Sequence, residues 1–290
     1  MGSMVSLSRR GMIASSLALA ACGKKADKAP APKAGPMTVA QAVAGEWRTA
    51  ADKARDPWRH PAETLEFFRL APGQTVVEFW PGAGWYTDIL APFLAATDGK
   101  LFAADLQTND PGEPASAEIV AAYRRKLRAR PKLYGDVAIT AFGPTSGAVA
   151  PAGSADLALF LRNVHNWMAA GIAEKAFHDA FVALKPGGVL GVEEHRADAG
   201  GVQDVLAADG YVQQAYVAQL AQEAGFILDK ASEINANPKD TKDHPFGVWT
   251  LPPVRRSSPR GQPDDPTFDH AKYEAIGESD RMTLRFVKPT

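Results

Sequence analysis

The sequence predicts an α/β domain with a doubly wound parallel sheet covered by helices on both faces. Three observations carry this expectation. Short apolar runs of strand length alternate with amphipathic segments of helix length from Thr75 onward. The first run, "TVVEFW", breaks into a turn containing Gly82 and Gly84 and then into a helical segment. The second, "KLFAADL", ends near Asp105, where an acid can accept hydrogen bonds from a ribose diol.

Along the chain, Met37–Ala54 is expected as an amphipathic helix with Val39, Val43 and Trp47 at helical spacing and Thr38 as N-cap. A second helix, Pro61–Arg69, opened by its proline, turns Leu65, Phe67, Phe68 and the following Leu70 toward the core. "GWYTDILAPFLAA" reads as a helix broken near Pro92, and "AEIVAAYRRKLRAR" as a helix with a solvated basic face. "VAITAFG" and "ADLALFLRN" read as strands, and "AAGIAEKAFHDAFVAL" as a helix ended by "KPGG" before the strand "GVLGVEEH". Tyr211–Ala224 is a helix stopped by Gly225, and "FILDKASEI" and "RMTLRFVKP" are the last strands. Arg162–Trp167 is expected in a loop, and Glu233–Pro253 as a long surface loop ordered as a lid by Phe246 and Trp249.

The 290 residues include 32 basic and 33 acidic side chains, interspersed, for a formal charge of -1. That balance offers nucleic acid no bulk attraction and points to a small-molecule partner. The single cysteine, Cys22, excludes an internal disulfide and a cysteine-based metal cluster. It closes "SLSRRGMIASSLALAAC", where charge precedes a short apolar run and small residues, the order of an export signal over residues 1–22. Arg9 and Arg10 resemble a twin-arginine signal, and "LAAC" resembles the lipobox of bacterial lipoproteins. Together they imply a protein on the periplasmic side of a bacterial envelope, anchored to the membrane through lipidated Cys22. Residues 23–36, rich in Lys, Ala and Pro, are expected as a flexible linker, and residues 37–290 as one domain.

Ligands of such sheets lie beyond the carboxyl ends of the strands. Around the first two ends stand Glu78, Trp80, Gly82, Gly84 and Asp105, with Thr87 placed to donate to a bound anion. Asn163 and His165 follow the fourth apolar run, and a histidine there can act as a base. Glu194 and His195 occupy the same position one strand over. Convergence of His165, a glutamate and His195 on a metal is an open alternative that their spacing does not require, and no metal is assigned. Substrate contacts are expected from Tyr211, from Asn235, Asn237, Lys242 and His244 in the long loop, and from Arg281 at the final strand. The chain has no "GxSxG", which argues against serine hydrolysis.

The run Glu78-Phe79-Trp80-Pro81-Gly82-Ala83-Gly84 resembles the acid-and-alternate-glycine turn of class I S-adenosylmethionine-dependent methyltransferases. "DLALFLRNVHNW", "ALKPGGVLGVEEH" and "QLAQEAGF" resemble that family's fourth strand, its turn into the fifth, and the helix before its terminal antiparallel pair. The resemblance runs over Pro61–Thr290 and is nearest a group of exported predicted methyltransferases of proteobacteria, through "WPGAGWYT", "RNVHNWM", "NANPKDTKDHP" and "IGESDRM". It implies a Rossmann-like, mostly parallel, seven-stranded sheet with an antiparallel terminal strand. It also implies S-adenosylmethionine held by Glu78, Trp80, Gly82, Gly84, Thr87, Asp105 and Asn163, with His165, Glu194 and His195 serving methyl transfer to a small molecule. The chain departs from the family pattern at Trp80, which stands in place of the first glycine. An indole there either turns into the core and leaves the cofactor its space, or fills the cleft. In the second case the fold serves another metabolite or a metal, as a binding module or a different enzyme.

Overall fold

The computed structural model describes residues 37–108 and 114–290, so the expected signal, lipobox and linker lie outside the described residues. The strands are β1 (Thr75–Phe79), β2 (Lys100–Leu106), β3 (Val137–Phe142), β4 (Ala155–Leu161), β5 (Leu184–His195), β6 (Ile227–Ser232) and β7 (Arg281–Val287). They form one sheet of order β3-β2-β1-β4-β5-β7-β6. Pairing is parallel from β3 to β5, and β7 runs antiparallel to both β5 and β6. This is the sheet expected from the sequence. Strand order reverses between β1 and β4, which opens a crevice at their carboxyl ends.

Ahead of the sheet lie α1 (Val39–Val43), α2 (Ala50–Lys53), α3 (Asp56–Arg59) and α4 (Pro61–Phe67). Within it are α5 (Thr87–Ala96), α6 (Pro114–Ala129), α7 (Pro131–Tyr134), α8 (Val164–Ala169), α9 (Ala173–Ala183), α10 (Gln214–Glu223) and α11 (Ala271–Ile276). Strand alternation divides the apolar side chains between two cores. Val77, Phe79, Phe160 and Val192 pack with α8, α9 and α10 on one face; Val76, Leu157 and Leu159 pack with α1, α4 and α5 on the other.

Two of the expected helices differ in continuity, for one connected reason. Met37–Ala54 is not a single helix: α1 starts from a capping box between Thr38 and Gln41 but stops before Gly45, against which the Trp47 indole folds back. That indole donates from Nε1 to the carbonyl of Asp88 at 2.7 Å. Asp88 is the residue four before Pro92, whose missing N–H would leave this carbonyl unbonded inside α5. Trp47 replaces the lost bond, and α5 runs through Pro92 instead of breaking.

Candidate functional site

Past β1 the backbone turns sharply, with φ of 46° at Trp80, 59° at Gly82 and 82° at Gly84. The glycines adopt this region freely, whereas a left-handed tryptophan costs about 1–2 kcal/mol. Trp80 holds the conformation through its N–H to the carbonyl of Ala104 and its indole Nε1 to the carbonyl of Phe142, both 2.9 Å. The ring packs edge-on against Trp167 with centroids 5.9 Å apart. Its body therefore belongs to the core, and one edge borders a cavity of about 520 Å³.

That cavity is bounded also by Gly82, Asp105, Asn163, Asn166 and Arg260, and its size suits an organic ligand. Asp105 ends β2 almost fully buried. One oxygen accepts the Leu106 N–H at 2.9 Å; Oδ2 has no partner among the described residues. Burial pushes this carboxyl above the usual range. Asn163 ties the turn down by donating to the carbonyls of Phe79 and Trp80.

Glu78 and Thr87, expected as cofactor contacts, face elsewhere. Strand alternation points Glu78 under the turn toward α5, where it accepts the Thr87 hydroxyl at 2.6 Å, and both side chains are buried. Burial pushes Glu78 up to about 7 from an ordinary value of 4.5. The folded chain thus holds a proton that the unfolded chain releases between these values. Stability from this group falls as pH rises from 4.5 to about 7 and levels off above. Urea unfolding at pH 4 and pH 8 should show Glu78→Gln gaining about 3 kcal/mol on the wild type across that range; parallel stability curves would refute the assignment.

Beside the cavity, β4 passes through Arg162 into α8, a helix where the sequence suggested a loop. The buried Glu194 carboxylate accepts the N–H groups of Val164 at 2.5 Å, His165 at 3.3 Å and His195 at 2.8 Å, and receives His165 Nδ1 at 2.9 Å. With so many donors facing it, the carboxylate is the acceptor and His165 carries its proton on Nδ1. Nε2 is then left with a lone pair, the arrangement of a general base. His195 Nδ1 lies 2.5 Å from Ser279 Oγ. Burial, His165, Arg281 and Arg162 hold His195 well below its ordinary value, so it stays neutral near pH 7.

Ligand atoms of His165, Glu194 and His195 lie within 4.8 Å of one another, the convergence left open by the sequence. Glu194 is occupied by its donors, and Arg162 and Arg281 oppose a cation there. The trio is suited to proton handling rather than to coordinating a metal.

The expected substrate contacts are largely committed to the loop's own fold. Tyr211 donates to Asp240, and His244 Nε2 binds the same carboxylate. Asn235 joins Thr64 to Thr283, Asn237 donates to the carbonyls of Ile276 and Glu278, and Lys242 pairs with Asp198 and Asp280. Arg281 borders the site, but its guanidinium binds Glu278 and the Trp58 carbonyl. These side chains brace the loop. Residues that do line the cleft but carried no recognised signal include Arg55, Arg59 and Arg162. Arg55 and Arg59, four apart, share a face of a helical turn.

No protein-family model and no curated protein sequence matches the chain. Among solved structures, the [4+2]-cyclase SpnF superposes with a TM-score of 0.54 at 17% identity, covering 85% of this chain and 83% of its own. A proposed sarcosine dimethylglycine methyltransferase from Galdieria sulphuraria gives 0.52 at 13% identity, covering 88% and 92%. A SAM-dependent methyltransferase from Aquifex aeolicus gives 0.47 at 18%, covering 63% and 87%. The chain has the Rossmann-like fold found in methyltransferases, and that fold also carries a cyclase, so activity is argued from the site.

Proposed function

We propose that this domain is an S-adenosylmethionine-dependent methyltransferase acting on a small molecule. The unpartnered Oδ2 of Asp105, buried at the edge of the 520 Å³ cavity beside Gly82, carries the reading. A ribose hydroxyl would satisfy that oxygen, and a side chain at Gly82 would project into open space that a ligand can use. When bound, the cofactor supplies an activated methyl group. Asp105 and the turn hold the cofactor, Asn163 fixes the turn, and Nε2 of His165 takes the proton that an acceptor hydroxyl or amine must lose.

Calorimetric titration of the full chain with S-adenosylmethionine and S-adenosylhomocysteine tests this. Saturable binding of both is expected; no heat at millimolar ligand would overturn it, and would favour the use of the cleft, with the Trp80 edge on its border, for a different metabolite.

We further propose, on the order of charge, apolar run and cysteine in residues 1–22, that the protein is exported and held at the envelope by lipidated Cys22. Cys22→Ala should move the protein from the membrane to the soluble fraction; a variant that still sediments with membranes would contradict the anchor.

A further inference from the structure

A second cavity, about 220 Å³, adjoins His165 and is bounded by Arg55, Arg59, Arg162, Arg281 and His195. Two carboxylates face these four guanidinium groups. Glu278 accepts Nε of Arg55 at 3.0 Å, Nε of Arg59 at 2.8 Å and Nη1 of Arg281 at 2.8 Å. Glu193 accepts Nη1 of Arg162 at 3.1 Å and the Tyr86 hydroxyl at 2.9 Å; Nε of Arg281 stands 2.9 Å away as an ion pair, without the alignment of a hydrogen bond. Positive charge is left in excess in a partly enclosed pocket, an arrangement that an anion would complete.

The donors left over point to the same ligand. In their guanidinium groups Arg55 and Arg59 use only Nε, and Arg162 only Nη1, so the other guanidinium N–H groups have no partner among the described residues. Arg59 is 5% exposed. Its guanidinium lies 4.9 Å over the Trp85 ring, and that of Arg162 lies 5.7 Å over Tyr86. Rings and carboxylates thus fix planar forks before any ligand arrives. We infer that this pocket is a binding site for an oxyanion, the carboxylate or phosphate group of the acceptor. His165 and Trp249 border both it and the neighbouring cleft of about 540 Å³, where Arg256 and Arg260 stand with no acid among the lining residues. An anion held by Arg55 and Arg59 therefore places the remainder of its molecule beside the His165 base. The site stands on its own geometry; its service to an acceptor rests on the methyl-transfer reading.

The test titrates the full chain with inorganic phosphate and separately with malonate, at ionic strength held constant with potassium chloride, and in parallel with S-adenosylhomocysteine. At least one anion should bind saturably above the chloride control, and which one does separates phosphate from carboxylate. Arg59→Gln should weaken it at least tenfold and the more exposed Arg55→Gln at least threefold, with S-adenosylhomocysteine affinity unchanged in both. Should Arg59→Gln fail to fold, Arg55→Gln decides. The site is overturned if neither anion binds above the control, or if the folded variants bind as the wild type does. Anion binding without S-adenosylhomocysteine binding would remove the cofactor reading alone.

Discussion

Asp105→Ala is expected to weaken S-adenosylhomocysteine binding about 100-fold or more while leaving the protein as stable as the wild type, or slightly more so. The two effects have opposite signs for one reason. Oδ2 is buried without a partner among the described residues, so the unliganded domain bears its desolvation with no compensating bond there. Ligand hydroxyls would meet a charged acceptor in a poorly solvated site, where each such bond contributes about 1.5–3 kcal/mol net. Two bonds near the lower end of that range amount to about 3–4 kcal/mol, a factor of several hundred in affinity. Calorimetry measures the first effect and thermal unfolding the second. Undiminished binding in the variant would show that Asp105 does not hold the ligand; a large loss of thermal stability would show that its role is structural.

Glu194→Ala should act on the folded state itself. Its carboxylate joins the end of β5 to the first turn of α8 through the backbone of Val164, His165 and His195. Alanine would strand those N–H groups and leave a void beside them. Each unsatisfied buried donor costs about 1–3 kcal/mol, and the sum, reduced by relaxation, is about 4 kcal/mol. For a domain of this size that corresponds to a fall of about 10 °C in Tm. Glu194→Gln keeps the shape but turns an amide N–H toward other donors, so an intermediate loss is expected. A Tm within about 2 °C of wild type for Glu194→Ala would contradict the reading of Glu194 as the clamp that orients His165.

The alternation of periods, the glycine turn and the acid ending β2 were legible because each follows from local geometry: a strand repeats every two residues, and a left-handed turn selects glycine. Trp80 was not decidable that way. Its direction depends on the carbonyl of Phe142, which lies 62 residues further along the chain. Pro92 misled for a similar reason, since the group that repairs α5 is Trp47. The polar loop residues Asn235, Asn237 and His244 looked like ligand contacts because polarity alone does not tell a side chain that faces a ligand from one that bonds its own loop. The arginines of the anion pocket escaped notice because basic residues are ordinarily solvated, and only tertiary packing sets them on the aromatic rings of Trp85 and Tyr86.

The pair formed by Arg55 and Glu278 spans 223 positions of the chain. β7, which Arg281 begins, is inserted between β5 and β6. A folding chain can pair β1 with β2 through local connections, but it completes the anion pocket only once β7 has joined the sheet. Both cavities draw on distant parts of the chain, the first joining Gly82 to Arg260 and the second Arg55 to Glu278, so neither is complete until long-range contacts have formed. Phosphate or carboxylate binding would consequently report completed folding of the sheet.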